Sequence, residues 1–436
     1  MLNITIYTQT LMQSKINNLL KNPLIVGTLI VTISTNIFNV FSYVFQYIML
    51  RALTPDHFKL LFNLFALMSI ITVFSGVMSQ VAVKTASKLK AKADFQHLTG
   101  LFSQLMKINI VFGILILSVF FGFTTQIALV LNLPSQYLKI FSIFILIGMV
   151  AGLPIAFLNG LLRFKSYGFV TVLAGIFKVF FPVVAIILGY EINGVIFGLI
   201  LGSIASGIVA FALLKKNLRK TIKPYAITQI VKTAIPLSFI TLFITLLFNI
   251  DVLMVNKFLS STDSSTYSSV ALVGRIILYG ASTVAVVLMP IISEKTEKGD
   301  AVIKTLFLSL FIVTILGGIG TLIMYLYPNL INLYVFGGKY PSAVPYLGVF
   351  SLFMMLYALM QTMTGFFIGA TKNIIIYILL IGSLTQIVGI MLFHSDINQV
   401  ILVNIVSMLV VLFCYVLILY KHFIRKRVPV PKLNRL

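Results

Sequence analysis

The sequence predicts an all-α polytopic membrane protein of about twelve transmembrane helices, arranged as two six-helix bundles around a central cavity. Three observations predict this fold: an apolar composition, a series of apolar spans of similar length, and a weak repeat of the first half of the chain in the second. Hydrophobic residues make up 60% of the 436 residues, charged residues make up only 9%, and the mean hydropathy is +1.10. A soluble domain carries far more charge.

Each apolar span is close to the ~20 residues that a helix needs to cross the hydrocarbon of a bilayer. Backbone polar groups in lipid must pair within the segment, and no alternating barrel pattern is present, so each span is predicted to be a helix. The first span is too long for the apolar region of a cleavable signal peptide. The twelve predicted spans are 24–50, 58–83, 104–132, 138–161, 169–190, 192–214, 233–256, 266–290, 302–327, 342–368, 373–393 and 397–420.

The distribution of positive charge predicts the orientation of the chain. A net charge of +23 would suggest a nucleic-acid partner in a soluble protein, but here 25 of the 32 lysines and arginines lie at the N-terminus, in the even-numbered connections and in the C-terminal tail. By the positive-inside rule both termini are cytoplasmic, and the basic loops lie near anionic membrane lipids. The charge therefore predicts a multi-pass protein of the cell membrane and no nucleic-acid partner.

The two halves of the chain share sparse identities at a steady spacing. The segment Arg51–Thr54 after the first span corresponds to Lys257–Ser260 after the seventh, 206 residues later, and Asp94 corresponds to Asp300 at the same spacing. Repeats of six spans have the same orientation, so a pseudo-two-fold axis along the membrane normal should relate them. We predict an N-terminal bundle over residues 1–220 and a C-terminal bundle with a basic tail over residues 221–436.

One cation lies deep in a span of each predicted bundle. Lys178 and Arg275 are each nine residues into their span, about 14 Å at ~1.5 Å per residue, counted from opposite sides of the membrane. A charge at this depth is expensive unless it faces water or binds a ligand, which favours an anion-binding site. The alternative is structural pairing with Asp251, the only carboxylate within a span, which is also the one candidate for ion coupling.

Polar residues at helical spacing are predicted to line the same cavity. Asn36 and Asn39 share a face of the first span that leads to Arg51, and further polar faces occur on spans two, seven and eight. Small and hydroxyl residues also hold membrane helices together, and Arg51 and Lys257 could simply extend to lipid headgroups, so both alternatives stay open. The full predicted substrate-binding set is Lys178, Arg275, Arg51, Asn36, Asn39, Asn249, Tyr279 and Lys257.

No enzyme chemistry is predicted from the sequence. The single cysteine and four scattered histidines form no metal motif, and no cofactor site is indicated. The segment Gly337–Tyr340 is not a phosphate-binding loop, because the first glycine and the Ser or Thr after the lysine are missing. No Ser/His/Asp set converges, so the protein is predicted not to be an enzyme.

Several segments resemble a known family. These are Asp251–Leu259 (DVLMVNKFL), Tyr267–Leu272 (YSSVAL), Val287–Glu294 (VLMPIISE), Gly160–Phe164 (GLLRF) and Gly194–Gly198 (GVIFG). Together they look like the polysaccharide-biosynthesis flippases of the exporter superfamily that also contains multidrug-and-toxin exporters and lipid II flippases. The resemblance covers essentially the whole chain, although each motif is loose. One departure is that no glycine precedes Tyr267, where the family usually has one.

The resemblance implies movement of a polyprenyl-pyrophosphate-linked oligosaccharide across a prokaryotic cytoplasmic membrane by alternating access. It also suggests a glycan polymerase or glycosyltransferases as candidate partners. The residues agree with this function, since a positively charged cavity would suit a pyrophosphate. Two alternatives stay open: a cation-coupled multidrug exporter, which should have carboxylates in its cavity, and a non-transport membrane scaffold for glycan assembly.

Overall fold

The computed structural model describes residues 23–218, 223–297, 303–369 and 374–421, and over 281–297 it describes the helix without its side chains. Asp300, residues 1–22 and the basic tail after residue 421 lie outside the described residues. The helices are α1 Pro23–Ala52, α2 Pro55–Ile71, α3 Val73–Ala91, α4 Phe95–Gly122, α5 Thr124–Leu131, α6 Ser135–Gly160, α7 Phe164–Ile187, α8 Glu191–Lys215, α9 Ile227–Phe258, α10 Ser261–Glu297, α11 Ile303–Leu326, α12 Pro328–Tyr334, α13 Leu347–Gly369, α14 Ile375–Leu392 and α15 Ile397–Leu419.

The predicted all-helical membrane fold is confirmed. Within the described residues no strand occurs, and ten helices are long and apolar enough to cross a membrane, or eleven if the bent pair α2–α3 is one span. The eighth predicted span, 266–290, lies in α10, which is not among the ten. Its described part carries Arg275 and a run of hydroxyl residues, which lower its hydropathy. The number twelve therefore stays a prediction.

The second predicted span, 58–83, is not one straight helix. Helices α2 and α3 meet at an angle of 51° at Thr72. The Thr72 hydroxyl donates to the Met68 carbonyl at 2.8 Å, and the Ser69 hydroxyl donates to the Phe65 carbonyl at 2.8 Å. Hydroxyl side chains that bond back to carbonyls four residues earlier often accompany bends in helices.

The predicted connection between the seventh and eighth spans, residues 257–265, is mostly helical, because α9 ends at Phe258 and α10 begins at Ser261. The Ser260 hydroxyl accepts the Asp263 amide at 3.1 Å and donates to the Asp263 carboxylate at 2.7 Å. This pairing caps a helix N-terminus, so the hydroxyl cluster begins a helix instead of a loop. Thr54, the repeat partner of Ser260, caps α2 in the same way by accepting the His57 amide at 3.3 Å.

The chain packs as two compact units. Unit 1 contains the described residues up to Leu53, Phe74–Leu129 and Leu133–Ile235, and its helix α7 packs mainly against α1 and α8. Unit 2 contains Thr54–Val73, Val130–Asn132 and the described residues from Pro236 onward, with α10 packed mainly against α11 and α13. Helix α2 therefore belongs to the second unit although it precedes α3 in sequence.

The starts of α2 and α10 are joined inside unit 2. The Ser261 hydroxyl donates to Asp56 Oδ1 at 2.8 Å, and Lys59 Nζ donates to the Ser261 hydroxyl at 2.6 Å and pairs with Asp56 Oδ1 at 3.3 Å. These residues directly follow the two repeat-related caps. The contact explains why α2 packs with the second unit and brings Phe62 of α2 close to α10.

Candidate functional site

The site in unit 2 centres on Arg275 of α10. Arg275 is only 7% exposed, and its Nη2 donates to the Phe248 carbonyl at 2.8 Å and more weakly to Asn249 Oδ1 at 3.4 Å. The guanidinium carbon lies 4.1 Å from the centre of the Phe248 ring and 4.8 Å from that of Phe62. Aromatic faces stabilise a cation without neutralising it. The Arg275 guanidinium is therefore packed between two aromatic rings and is almost fully buried.

Asp251 of α9 anchors a second set of polar contacts in unit 2. Asp251 is fully buried, and its Oδ2 accepts the Tyr267 hydroxyl at 2.5 Å and Asn404 Nδ2 at 3.3 Å. Asn404 also donates to the Tyr267 hydroxyl at 2.8 Å, and Gln386 Nε2 donates to Asn404 Oδ1 at 2.9 Å. The four side chains come from α9, α10, α14 and α15. We call this set the Asp251 cluster.

Three buried atoms around these contacts have no hydrogen-bond partner among the described residues: Arg275 Nε, Asp251 Oδ1 and Gln386 Oε1. The structure also records no ion pair between Arg275 and Asp251, both of which it describes. Buried polar atoms are nearly always satisfied in native proteins, so an orphan marks a place for water, an ion or a ligand. Here one donor, Arg275 Nε, and two acceptors, Asp251 Oδ1 and Gln386 Oε1, lack a hydrogen-bond partner among the described residues.

Lys178 of α7 is the cation within a predicted span of unit 1. It lies 14 residues after the start of α7 at Phe164, just as Arg275 lies 14 residues after the start of α10 at Ser261. Lys178 Nζ donates to the Ser42 hydroxyl at 3.0 Å and lies 5.4 Å and 5.8 Å from the ring centres of Phe38 and Phe45. Each unit thus holds one cation next to two aromatic rings.

The remaining predicted residues occupy more open positions. Asn36 is exposed and donates to the Thr32 carbonyl, Asn39 is exposed, and Arg51 is exposed beside the Tyr47 ring. Lys257 is exposed and Tyr279 is 43% exposed. The structure brings Asn249 next to Arg275, but it places Asn36 and Asn39 on a face of α1 other than the Phe38, Ser42 and Phe45 face that holds Lys178.

Sequence reasoning missed most of the Asp251 cluster and both rings around Arg275. Gln386 and Asn404 are isolated amides in otherwise apolar spans, which is a signal that could have been used, since polar residues inside spans need partners. Tyr267 appeared only as part of a motif. Nothing in the sequence indicated that Phe62 would reach Arg275, because that contact depends on α2 packing in unit 2.

Comparisons with known proteins agree with this architecture. The model of the polysaccharide biosynthesis protein family matches residues 24–296, more than half of the chain. Among solved structures, an inward-facing multidrug resistance transporter of the MATE family in the MOP superfamily has a TM-score of 0.69 at 13% identity, over 89% of this chain and 95% of its own.

Two further solved structures are similar. The lipid II flippase MurJ in an inward closed conformation has a TM-score of 0.64 at 15% identity, over 91% of this chain and 87% of its own. A MOP superfamily transporter from Pyrococcus furiosus, whose binding pocket is reported to have reverse polarity, has a TM-score of 0.58 at 13% identity. The match covers 92% of this chain and 96% of that transporter. No curated protein matches. Because the family model matches more than half of the chain, the chain belongs to the polysaccharide biosynthesis protein family.

Proposed function

We propose that this protein is a flippase that moves a polyprenyl-pyrophosphate-linked oligosaccharide from the inner to the outer leaflet by alternating access, and that it is not an enzyme. One observation carries the proposal: Arg275 is buried between two aromatic rings, with one donor atom unused and without an ion pair among the described residues. A buried guanidinium with an unused donor is suited to binding phosphate, because its planar donors match the geometry of phosphate oxygens.

Lys178 supports the same ligand chemistry in unit 1. Its ammonium donates to the Ser42 hydroxyl and lies beside two aromatic rings, and an ammonium binds a phosphate as a compact point charge. In this proposal each of the two cations contributes to binding the pyrophosphate at some stage of the cycle. The exposed amides Asn36 and Asn39 would donate to and accept from sugar hydroxyls, and Tyr279, Arg51 and Lys257 are proposed as further contacts.

The Asp251 cluster supports ion coupling of the transport. Its unsatisfied acceptors, Asp251 Oδ1 and Gln386 Oε1, are oxygens of the kind that bind a proton or a hard cation. In addition, an inside-negative potential favours outward movement of an anion, by about 2.3 kcal/mol per charge per 100 mV. We assign the coupling role to Asp251 and the substrate contact to Arg275.

A multidrug exporter is the second candidate. One similar structure is a multidrug resistance transporter of the MATE family, and another is a transporter of the MOP superfamily. An exporter of organic cations should present carboxylates to its substrate. Among the described residues, however, Asp251 is the only buried carboxylate, and Tyr267 and Asn404 already bind one of its oxygens. The charges therefore favour an anionic substrate. A non-transport scaffold would need no buried cation at all.

The proposal places the protein in the cytoplasmic membrane, with both termini in the cytoplasm and a glycan polymerase or glycosyltransferases as working partners. Cysteine-accessibility labelling tests the orientation, because the native chain has a single cysteine, Cys414. In a Cys414→Ser background, a cysteine at Lys84 should react only with reagents that reach the cytoplasm. A cysteine at Lys339 should react from outside.

The decisive test is genetic complementation in a strain that needs this protein for its surface glycan. Arg275→Ala and Lys178→Ala should each lose glycan at normal membrane levels while the lipid-linked precursor accumulates. Lys84→Ala, which removes an exposed cation of α3, serves as the matched control. Full glycan production by both site variants would refute the proposal and favour the scaffold. Altered drug resistance without a glycan defect would favour the multidrug exporter.

A further inference from the structure

Helix α2 covers the Arg275 side chain in this conformation of unit 2. The Phe62 ring of α2 lies 4.8 Å from the guanidinium carbon, and Phe62 is only 3% exposed. Arg275 Nε, the donor without a partner among the described residues, is buried as well. A diphosphate cannot reach the guanidinium while these side chains stay in place. One of the covering groups must therefore move before Arg275 can bind or release an anion.

Of the two aromatic rings over Arg275, the one on α2 is the one that can leave. The Phe248 carbonyl accepts a hydrogen bond from Arg275 Nη2 at 2.8 Å, so that ring stays with the guanidinium. Phe62 is held by packing, and α10 is the main helix partner of α2 among the described helices. At Thr72 the chain bends by 51° into α3, and after Val73 it passes from unit 2 into unit 1. Hinges are often a few residues at the end of an element, so α2 can swing about this bend.

Three side chains hold the start of α2 on the start of α10, and we call them the α2 latch. The Ser261 hydroxyl donates to Asp56 Oδ1 at 2.8 Å, and Lys59 Nζ donates to the Ser261 hydroxyl at 2.6 Å. Lys59 also pairs with Asp56 Oδ1 at 3.3 Å, and the Asp56 side chain is 74% exposed. Exposed ion pairs contribute little to stability. The α2 latch is therefore a contact that can open and close at a small cost.

The closed position of α2 leaves buried polar atoms unsatisfied. Asn63, next to Phe62, is fully buried, and its Nδ2 donates to the Lys59 carbonyl at 2.9 Å. Its Oδ1, like Arg275 Nε, has no partner among the described residues. Buried polar atoms without a partner cost free energy, and an opening that admits water or ligand removes that cost. A weak latch and unsatisfied atoms are the properties of an element with two positions.

We propose that α2 is a lid over Arg275, which the α2 latch holds shut and which opens to let the diphosphate of the substrate reach or leave the guanidinium. The proposal rests on the proposed function and adds the element that controls access to its site. In the proposed orientation α2 begins on the outer side of the membrane. Opening of the lid would thus expose Arg275 toward the side on which the substrate is released.

The first experiment measures the lid without transport. The chain contains no tryptophan, so Phe62→Trp gives a single reporter on the lid and keeps an aromatic face over the guanidinium. Phe353→Trp, fully buried on α13, is the matched control. Acrylamide quenching of the emission of the purified full-length protein measures how often each ring is exposed. Adding Asp56→Ala should raise the quenching of Phe62→Trp by up to about fivefold, the change that an exposed ion pair makes in an equilibrium, and leave that of Phe353→Trp unchanged. No rise for Phe62→Trp would overturn the latch.

A reversible cross-link tests the lid during transport. In a Cys414→Ser background, Asp56→Cys with Ser261→Cys places two thiols across the α2 latch. Thr266→Cys with Ser342→Cys, at two hydroxyls 2.8 Å apart within unit 2, is the matched control pair. A short bifunctional thiol reagent that a reductant cleaves should slow flipping at least about tenfold in the latch pair, because a locked lid removes the binding-competent state. The reductant should restore the rate, and the control pair should keep its rate throughout. An unchanged rate in the cross-linked latch pair would overturn the lid.

One further variant separates this proposal from the proposed function. Arg275→Gln in the Phe62→Trp background should abolish glycan export, while Asp56→Ala should still raise the quenching, because the α2 latch does not include Arg275. Export that depends on Arg275, together with an unchanged rate in the cross-linked latch pair, would refute the lid alone. Export that is independent of both Arg275 and Lys178 would refute the function, and the quenching would then show whether α2 still opens.

Discussion

The two units hold cations at equal positions along their helices but in different surroundings. Lys178 of unit 1 lies among Ser42 and two aromatic rings. Arg275 of unit 2 is almost fully buried, and the same unit contains the Asp251 cluster. Under the proposed function, both units would contribute a cation to binding the anionic substrate, and only unit 2 would also hold the group proposed for ion coupling.

Buried polar contacts elsewhere in unit 1 differ from those of the Asp251 cluster in unit 2. In unit 1 the buried pair Ser75 and Asn109 is joined at 3.4 Å, and Asn109 donates to the Met149 carbonyl at 3.3 Å. Both contacts are long and involve no ionisable group. In unit 2 the hydrogen bonds of Tyr267 to Asp251 and of Asn404 to Tyr267 are short and include a carboxylate. Short charge-assisted bonds are roughly twice as strong as neutral ones.

The largest effect is expected at Arg275. Arg275→Gln keeps a donor but removes the charge, and it should reduce flipping about 10- to 100-fold, since hydrogen bonds to charged groups contribute about 1.5–3 kcal/mol. Reconstituted flipping of a fluorescent lipid-linked oligosaccharide measures this. Arg275→Lys should recover only part of the activity because the planar donors are lost. Wild-type rates for Arg275→Gln would remove unit 2 from substrate binding.

The next effect is expected at Asp251. Asp251→Asn keeps the shape and the partners of the cluster but cannot bind a coupling ion by charge. The flipping rate should fall roughly tenfold, which corresponds to losing the free energy that one charge gains from a potential of about 60 mV. Flipping should also no longer respond to an imposed proton or sodium gradient. The measurement is flipping in proteoliposomes with and without each gradient. A variant that still responds to the gradient would place the coupling ion elsewhere.

A smaller effect is expected at Lys178, which is only partly buried. Lys178→Gln should slow flipping about three- to tenfold, since an ammonium binds phosphate as a point charge without the paired planar donors of a guanidinium. Lys178→Arg should restore most of the rate. The same proteoliposome assay tests both variants, and a loss at Lys178 greater than that at Arg275 would reverse the assigned roles of the two units.

The smallest effects concern stability. Tyr267→Phe removes the donor to Asp251 and leaves a buried carboxylate poorly satisfied, so it should cost about 1–3 kcal/mol. Ser75→Ala in unit 1 breaks only a long neutral contact and should cost less than about 1 kcal/mol. Denaturant or thermal unfolding of each variant in the same detergent measures the difference. Equal losses would contradict the contrast between the units.

Much of the fold could be predicted from the sequence, because the bilayer imposes length and apolarity on each span. Lys178 and Arg275 were identified for the same reason, since an ionisable residue in an apolar span is rare. Helix ends were less predictable. Residues 257–265 were predicted to connect two spans, although Ser260 and Asp263 have the spacing of a helix cap. The bend at Thr72 lies inside a predicted span, where apolar periodicity gives no sign of it.

The parts of the site that could not be predicted depend on packing between distant segments. The Asp251 cluster joins α9, α10, α14 and α15, and no spacing in the sequence connects Asp251 with Asn404 or Gln386. Phe62 reaches Arg275 only because α2 packs in unit 2.

The central claim is that buried positive charge binds the diphosphate of the substrate. The most direct test is equilibrium binding of a polyprenyl diphosphate and of the uncharged polyprenol of equal length to the purified protein, to Arg275→Gln and to Lys178→Gln. The account predicts that the wild-type protein binds the diphosphate at least tenfold more tightly than the alcohol, and that both variants lose most of this preference. An unchanged preference in both variants would contradict it.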